Sequence, residues 1–228
     1  MRAVIVANGP MPEPPFRRFE IREGDVVICV DGGASNALAL GLKPDVVIGD
    51  MDSIGTELRG HLQQEGSRLV EYPSRKDETD SELAVRYALE QGATEIILLA
   101  ALGGRIDHTL ANVMVLTIPE LETVDARLID GNQEVRLVRD RVLIVGRPGE
   151  TVSLLPMSGD VGGIHTEGLE YPLHGGTLKF GAARGVSNVL TAAQASVQVE
   201  RGLLLLVHHH RDLPSDYSEV DLQGGSGE

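Results

Sequence analysis

The first half of the chain alternates short apolar runs with stretches of helical composition, and that alternation leaves few folds open. The runs are Ala3–Ala7, Val26–Val30, Val46–Ile48, Arg68–Glu71, Ile96–Ala100 and Ala126–Ile129, mostly rich in Val, Ile or Leu. Their lack of polar alternation predicts strands covered on both faces. Between them, Ala34–Leu40, Glu57–Glu65, Ser81–Gln91 and Thr109–Leu116 have helical composition. The third is the best marked: Thr79 and Glu82 form a capping box, Leu83, Ala84, Tyr87 and Ala88 make one apolar face, and Gly92 ends it. Strand–helix alternation predicts an α/β fold, a parallel sheet in three layers with helices on both faces. In such sheets ligands bind beyond the carboxyl ends of the strands.

The texture changes near residue 132. From Glu134 onward the sequence offers short strand-like pieces, frequent Gly and no convincing helix. Ala195–Glu200 alternates strictly, as a half-buried antiparallel strand should, and Arg201-Gly202 turns into Leu203–Val207. Thr151–Leu155 and Thr177–Phe180 are further strand candidates. The expected organisation is an α/β domain over residues 1–139, a small all-β sandwich over 140–210 and an acidic, flexible tail over 211–228.

Charge and composition exclude several classes of function. The formal charge of −14 and the absence of a Lys/Arg stripe argue against a nucleic-acid surface. No run approaches a membrane span, and the apolar stretch after Met1-Arg2 is too short for a signal peptide, so the cytoplasm is expected. Cys29 is the only cysteine and sits in an apolar run, where it reads as a small buried hydrophobe. A phosphate-bearing ligand would need some source of positive charge on so acidic a chain, and a divalent metal held by carboxylates supplies one.

Four segments that follow strand ends all contain aspartate: Asp31–Ala34, Gly49–Ser53, Lys76–Asp80 and Gly103–His108. In the strand-like Gly49–Ser53, Asp50 and Asp52 lie two apart and can face one ion, and oxygen ligands of this kind suit Mg²⁺. A turn whose acids cap a helix explains the pair equally well. Lys76-Asp77-Glu78-Thr79-Asp80 precedes a helix, with Thr79 the expected cap. Lys76 can meet a phosphate there and Asp77 can add a metal oxygen. Gly103-Gly104-Arg105 suits a phosphate-cradling loop, and also an ordinary tight turn. Arg105, His108 and Asn112 share one helix face if the helix starts early enough. Each segment alone has a structural explanation; their convergence on one sheet edge reads as a metal–polyphosphate site.

These residues resemble the thiamine pyrophosphokinase family. Its run of a strand, Asp-Gly-Gly-Ala, a helix, Pro-Asp, a strand and Gly-Asp-Phe-Asp-Ser matches Asp31–Ala34, Pro44-Asp45 and Gly49–Ser53, with Met51 in place of Phe. That side chain is expected to point away from the two acids. Lys76–Asp80, and Gly103–His108 with Asn112, match two further segments. Gly168–Leu173 and Gly185–Asn188 are similar to the family's vitamin-binding half. The likeness runs in order over about residues 2–207.

The resemblance implies a catalytic α/β domain, a β-sandwich, ATP and thiamine as substrates, and a homodimer with thiamine near the subunit interface. Asp31, Asp50, Asp52 and Asp77 become candidates for the metal cluster. Thr79, Asp80, Arg105, Asp107, His108 and Asn112 fall in the nucleotide and phosphate segments, and Ser187 and Asn188 on the thiamine side. Eukaryotic members use a Trp near thiamine and this chain has none, so Phe180 and Tyr171 are the stacking candidates. The implied reaction is attack of the thiamine hydroxyl on the β-phosphorus of ATP with AMP leaving. Asp50, Asp52 and Asp77 would hold Mg²⁺, Lys76 and Arg105 would neutralise charge, and Asp31 or Asp80 would orient the hydroxyl or accept its proton. The alternatives are a pyrophosphokinase for another primary alcohol, such as a hydroxymethylpterin, and a catalytically silent nucleotide- or thiamine-binding module. His208-His209-His210 is read as the polar end of strand Leu203–Val207, away from the catalytic edge, in preference to a metal site.

Overall fold

The computed structural model describes residues 1–12, 16 and 19–211; the expected acidic tail lies, except for Arg211, outside the described residues. Six parallel strands form the first part of a ten-stranded sheet: β1 (Arg2–Val6), β2 (Val26–Val30), β3 (Val46–Gly49), β4 (Arg68–Glu71), β5 (Glu95–Leu99) and β6 (Asp125–Asp130). The helices are α1 (Gly33–Ala39), α2 (Thr56–Gln64), α3 (Asp80–Glu90) and α4 (Ile106–Val115). Each predicted strand and helix of this half is present within a few residues of its expected bounds. Both faces are covered. Ala3, Ile5, Ile28, Ile96 and Leu98 face a core shared with α3 and α4. Val4, Val6, Val27, Cys29, Val47, Ile97 and Leu99 face one shared with α1 and α2. Alternate residues of each strand therefore enter opposite cores, and each fully buried Ile or Leu contributes about 1.5–3 kcal/mol of burial.

The second half departs from a simple division. After β6 the chain reverses into β7 (Gln133–Val138) and pairs antiparallel with it, Arg127 opposite Arg136. The remaining strands are β8 (Arg141–Val145), β9 (Thr151–Pro156), β10 (Val161–Glu167), β11 (His174–Leu178), β12 (Asn188–Val189), β13 (Gln194–Gln198) and β14 (Leu204–His209). The ten-stranded sheet runs β12-β9-β14-β7-β6-β5-β1-β2-β3-β4, so three late strands extend the same sheet past residue 139. The other four, in the order β11-β10-β13-β8, form a second sheet. Val138, Val152, Leu154, Leu204 and Leu206 of the large sheet meet Ile144, Ile164, Leu178 and Val197 of the small one, giving the expected sandwich core.

Two readings of this half are corrected. The strand expected at Thr177–Phe180 is His174–Leu178, and Phe180 lies beyond it, exposed. The histidines are not the polar end of their strand. β14 continues through His209, with His208 and His210 buried on the face that also carries Leu204 and Leu206. Sequence patterning missed this because histidine counts as polar, although burial with a partner makes it a core residue.

Candidate active site

The chain leaves β1 toward β2, β3 and β4, then returns to β5 on the other side of β1. The boundary between β1 and β5 is therefore the switch point of the parallel sheet, where a crevice opens. A cavity of about 380 Å³ lies there. Ala7–Pro10 after β1, Asp31 after β2, Ala100, Ala101 and Gly103–Arg105 after β5 and the start of α3 line it, with His108 and Asn112 of α4.

Asp31 is held in place by three features. It sits at φ 44, a left-handed conformation that aspartate tolerates better than most side chains. Its Oδ1 accepts the Met51 N–H at 3.2 Å. Gly49 gives it room, because a Cβ there would fall 1.7 Å from Asp31 Oδ1. The glycine before Asp50 is thus a packing requirement of the carboxylate across from it.

Asp50 and Asp52 follow β3, but in a turn rather than an extended segment. Met51 between them has φ 63 and buries its side chain in the α1/α2 core, away from both acids as expected. The Asp52 N–H donates to Asp50 Oδ1 at 3.1 Å. One carboxylate oxygen from each of Asp31, Asp50 and Asp52 lies within 4.8 Å of the other two.

The electrostatics match that crowding. Burial, and then the charges of Asp80 and Asp50, push the Asp31 carboxyl up to about 6, against the pull of the Met51 N–H. Asp52 is raised by its contact with Asp50. Asp50 is lowered, chiefly by a hydrogen bond from Ser74. Two carboxyls, Asp31 and Asp52, raised by neighbouring carboxylates make a set short of positive charge, the condition a cation relieves. The all-oxygen donor set fits a hard ion such as Mg²⁺.

The neighbouring segments are built from local rules. Thr79 caps α3 by accepting the Glu82 N–H at 3.2 Å. Lys76 is paired with Asp80, one turn away. Arg105 forms a two-point ion pair with Asp107, at 2.6 and 3.1 Å, which lowers the Asp107 carboxyl to about 2. Helix α4 starts at Ile106, early enough for Arg105, His108 and Asn112 to line one cavity. Asn112 is buried and donates to the Ala101 carbonyl at 2.7 Å, so its amide shapes the loop after β5.

Comparison with known proteins gives this geometry a family. The model of the thiamin pyrophosphokinase catalytic domain matches residues 19–128, and that of the thiamin pyrophosphokinase vitamin B1 binding domain matches residues 138–204. The chain belongs to the thiamine pyrophosphokinase family. It is 28% identical over 205 residues to thiamine pyrophosphokinase of Bacillus subtilis, covering 89% of this chain and 96% of that relative. It is 25% identical over 232 residues to thiamine pyrophosphokinase 3 of Oryza sativa subsp. japonica, covering 86% and 82%. The crystal structure of the Bacillus subtilis thiamine pyrophosphokinase superposes with a TM-score of 0.82 at 27% identity, covering 93% of this chain and 100% of that one. The structure of yeast thiamin pyrophosphokinase, at 15% identity and a TM-score of 0.69, shares the fold.

Within this family member, the structure gathers some predicted site residues and separates others. Asp31, Asp50 and Asp52 come together, and Asp80 acts on both Asp31 and Asp52 electrostatically. Asp77 is exposed and stands outside that group of three. Ser187 and Asn188 lie at the far side of the sheet. Asn188 binds the backbone of Tyr171 through both ends of its amide, and the Ser187 N–H donates to Ser153 Oγ. Sequence reading missed the Asn8-Gly9-Pro10 loop. Asn36 supports it by donating to the Ala7 and Gly9 carbonyls, each at 2.9 Å, and Gly9 lies against the Ala100 carbonyl, where a Cβ would come within 2.3 Å. The Gly-Pro pair following β1 was the available signal.

Proposed function

We propose that this chain transfers the pyrophosphoryl group of ATP to the hydroxyl of thiamine, giving thiamine diphosphate and AMP, at the acidic edge between β1, β2, β3 and β5. Membership of the family supports the reaction. The observation that supports the location is the cluster of Asp31, Asp50 and Asp52 beside a cavity at the switch point. In this reading those three hold Mg²⁺, with Asp31 taking the place first expected for Asp77. The ion would supply charge neutralisation of the triphosphate. The two glycines before Arg105 cradle phosphate oxygens, and Arg105 exchanges Asp107 for phosphate, since both bonds of that pair are exposed and reformable. Asp80, steadied by Lys76, orients the attacking hydroxyl, and positioning with charge neutralisation carries the transfer.

Thiamine would reach this edge through a second copy of the chain. β12, which carries Asn188, is seven strands from β2 in the sheet, roughly 34 Å at about 4.8 Å per strand. One chain therefore does not bring Asn188 and Asp31 to the same small molecule, and a homodimer can. The exposed stripe Ile106, Leu110 and Met114 on α4 offers apolar surface for such pairing. The cytoplasm is the compartment we assign, on the single buried cysteine and on the sequence; among the described residues no helix is long and apolar enough to cross a membrane.

Incubation with Mg²⁺, ATP and either thiamine or a hydroxymethylpterin, with AMP measured, tests the reading. Thiamine-dependent AMP is expected; AMP release with the pterin alone, or with neither, would replace it. Mixing an Asp50→Asn chain with a Ser187→Ala/Asn188→Ala chain tests the shared site. Two weak variants should regain activity together, and no recovery would confine the site to one chain.

A further inference from the structure

A second set of metal-type side chains lies in the antiparallel half. β14 runs in the same direction as β6, because each pairs antiparallel with β7, so its carboxyl end falls on the same sheet edge as the acidic loops. It stands five strands from β2, roughly 24 Å away. At that end His208 is 3% exposed and His210 5%, and both face Glu150, which has no exposure. His208 Nε2 lies 2.8 Å and His210 Nδ1 3.4 Å from the same oxygen, Glu150 Oε2. One ligand atom of each residue falls within 4.8 Å of the others.

We propose that Glu150, His208 and His210 bind a divalent transition-metal ion of the zinc class, inside the sandwich and five strands along the sheet from the acidic loops. Two imidazoles and one carboxylate suit such ions and are a poor set for Mg²⁺, which takes oxygen. The spacing is near what binding requires. With bonds of about 2.0–2.2 Å in a tetrahedral shell, neighbouring donors stand about 3.3 Å apart, so the two contacts need shifts of only a few tenths of an ångström.

The surroundings orient these donors. The Arg147 N–H donates to Glu150 Oε2 at 3.1 Å and the Arg211 N–H to Oε1 at 3.2 Å. Asn132 accepts the His210 N–H on its carbonyl and donates its side-chain amide to the His210 carbonyl, at 2.9 and 3.1 Å. Outer contacts of this kind fix ligand geometry. Gly146 leaves the space: a Cβ there would fall 2.4 Å from Glu150 Oε2 and 2.8 Å from His208 Cε1. A groove of about 260 Å³, bordered by Leu143, Val145, Glu134 and Arg136, reaches His208 and His210 and provides an entry path. The burial of all three ligands assigns the ion a structural task, tying the turn before β9 to the end of β14. The hydrogen-bonded trio is the ion-free form of the same site.

The full chain, stripped with chelator, is titrated with Zn²⁺ by calorimetry and with Co²⁺ by visible absorption. One tight Zn²⁺ per chain and the intense Co²⁺ bands of a low-coordinate nitrogen/oxygen site are expected. Affinity should fall at least about a hundredfold in His208→Gln and in His210→Gln, and stay unchanged in Asp50→Asn/Asp52→Asn. Absence of tight Zn²⁺ binding, its survival in both histidine variants, or its loss in the aspartate variant overturns the proposal. If a histidine variant does not fold, the Co²⁺ spectrum of the unaltered chain decides, because the weak bands of an all-oxygen octahedral site are an overturning result.

Discussion

One sheet carries two kinds of polar cluster, and they are solved in opposite ways. In the parallel half, strands covered on both faces leave chemistry only to the loops beyond their ends. There Asp52 is exposed and Asp50 half-buried, and Asp31, Asp50 and Asp52 crowd one another. In the antiparallel half, Glu150, His208 and His210 lie under the sandwich, and both oxygens of the Glu150 carboxylate accept hydrogen bonds. The first arrangement keeps mutual repulsion that an exchangeable cation can relieve. The second satisfies its charge from within. Crowding without compensation marks a working site, and compensation marks a structural one.

The sharpest way to break that contrast is to neutralise one acid of the open cluster. Asp50→Asn or Asp52→Asn is expected to lower Mg²⁺-dependent turnover by about a hundredfold or more, with thermal stability unchanged or slightly raised. Near-normal turnover in both variants would make the cluster ornamental. Next come the paired glycines. Gly49→Ala forces a Cβ onto Asp31 and Gly146→Ala forces one onto Glu150. Each should cost about 1–3 kcal/mol of stability, but only the first should also reduce kcat. Equal kinetic loss in both would erase the distinction.

A smaller effect concerns pH. The Asp31 carboxyl titrates near 6 in the metal-free fold against an ordinary 3.8. Ionising it therefore costs stability, so this group stabilises the metal-free protein as pH falls through 6 toward 3.8. Mg²⁺ at saturation should abolish that trend, and its apparent affinity should weaken by up to about tenfold per pH unit below 6. Melting curves from pH 7 to pH 5, with and without Mg²⁺, check both. The smallest stability change is expected for Asp107→Asn. Its pair with Arg105 is exposed and screened by solvent, so the melting temperature should hardly move. Freeing Arg105 should lower KM for ATP, and a raised KM would reassign Asp107 to nucleotide binding.

The parallel half was legible because its signals are local. Val-rich runs, the Thr79–Glu82 cap and Gly92 each act within a few residues, and the acidic segments then fall on one edge by topology. What stayed hidden depends on distant neighbours. Nothing near Gly49 in sequence announces that Asp31 needs its space, and nothing near His208 points to Glu150, 58 positions away. The domain boundary at 139/140 was read from a change of texture, yet the hydrogen bonds between β7 and β14 cross it. β7, β8, β10 and β12 were not among the expected strands: Gly162-Gly163 interrupts β10 and β12 has only two residues, while the glycine-free β7 and β8 are parted only by Arg139-Asp140.

The hairpin of β6 and β7 also limits how the molecule can move or be divided. The two segments matched by family models end at residue 128 and begin at 138, so a cut between them looks harmless on paper. In the fold it would strip β6 of its neighbour and leave a long, unprotected edge on each fragment. The halves are bound as one plank with no hinge at the seam. Any enclosure of substrate must then come from loops, or from another molecule laid against the edge.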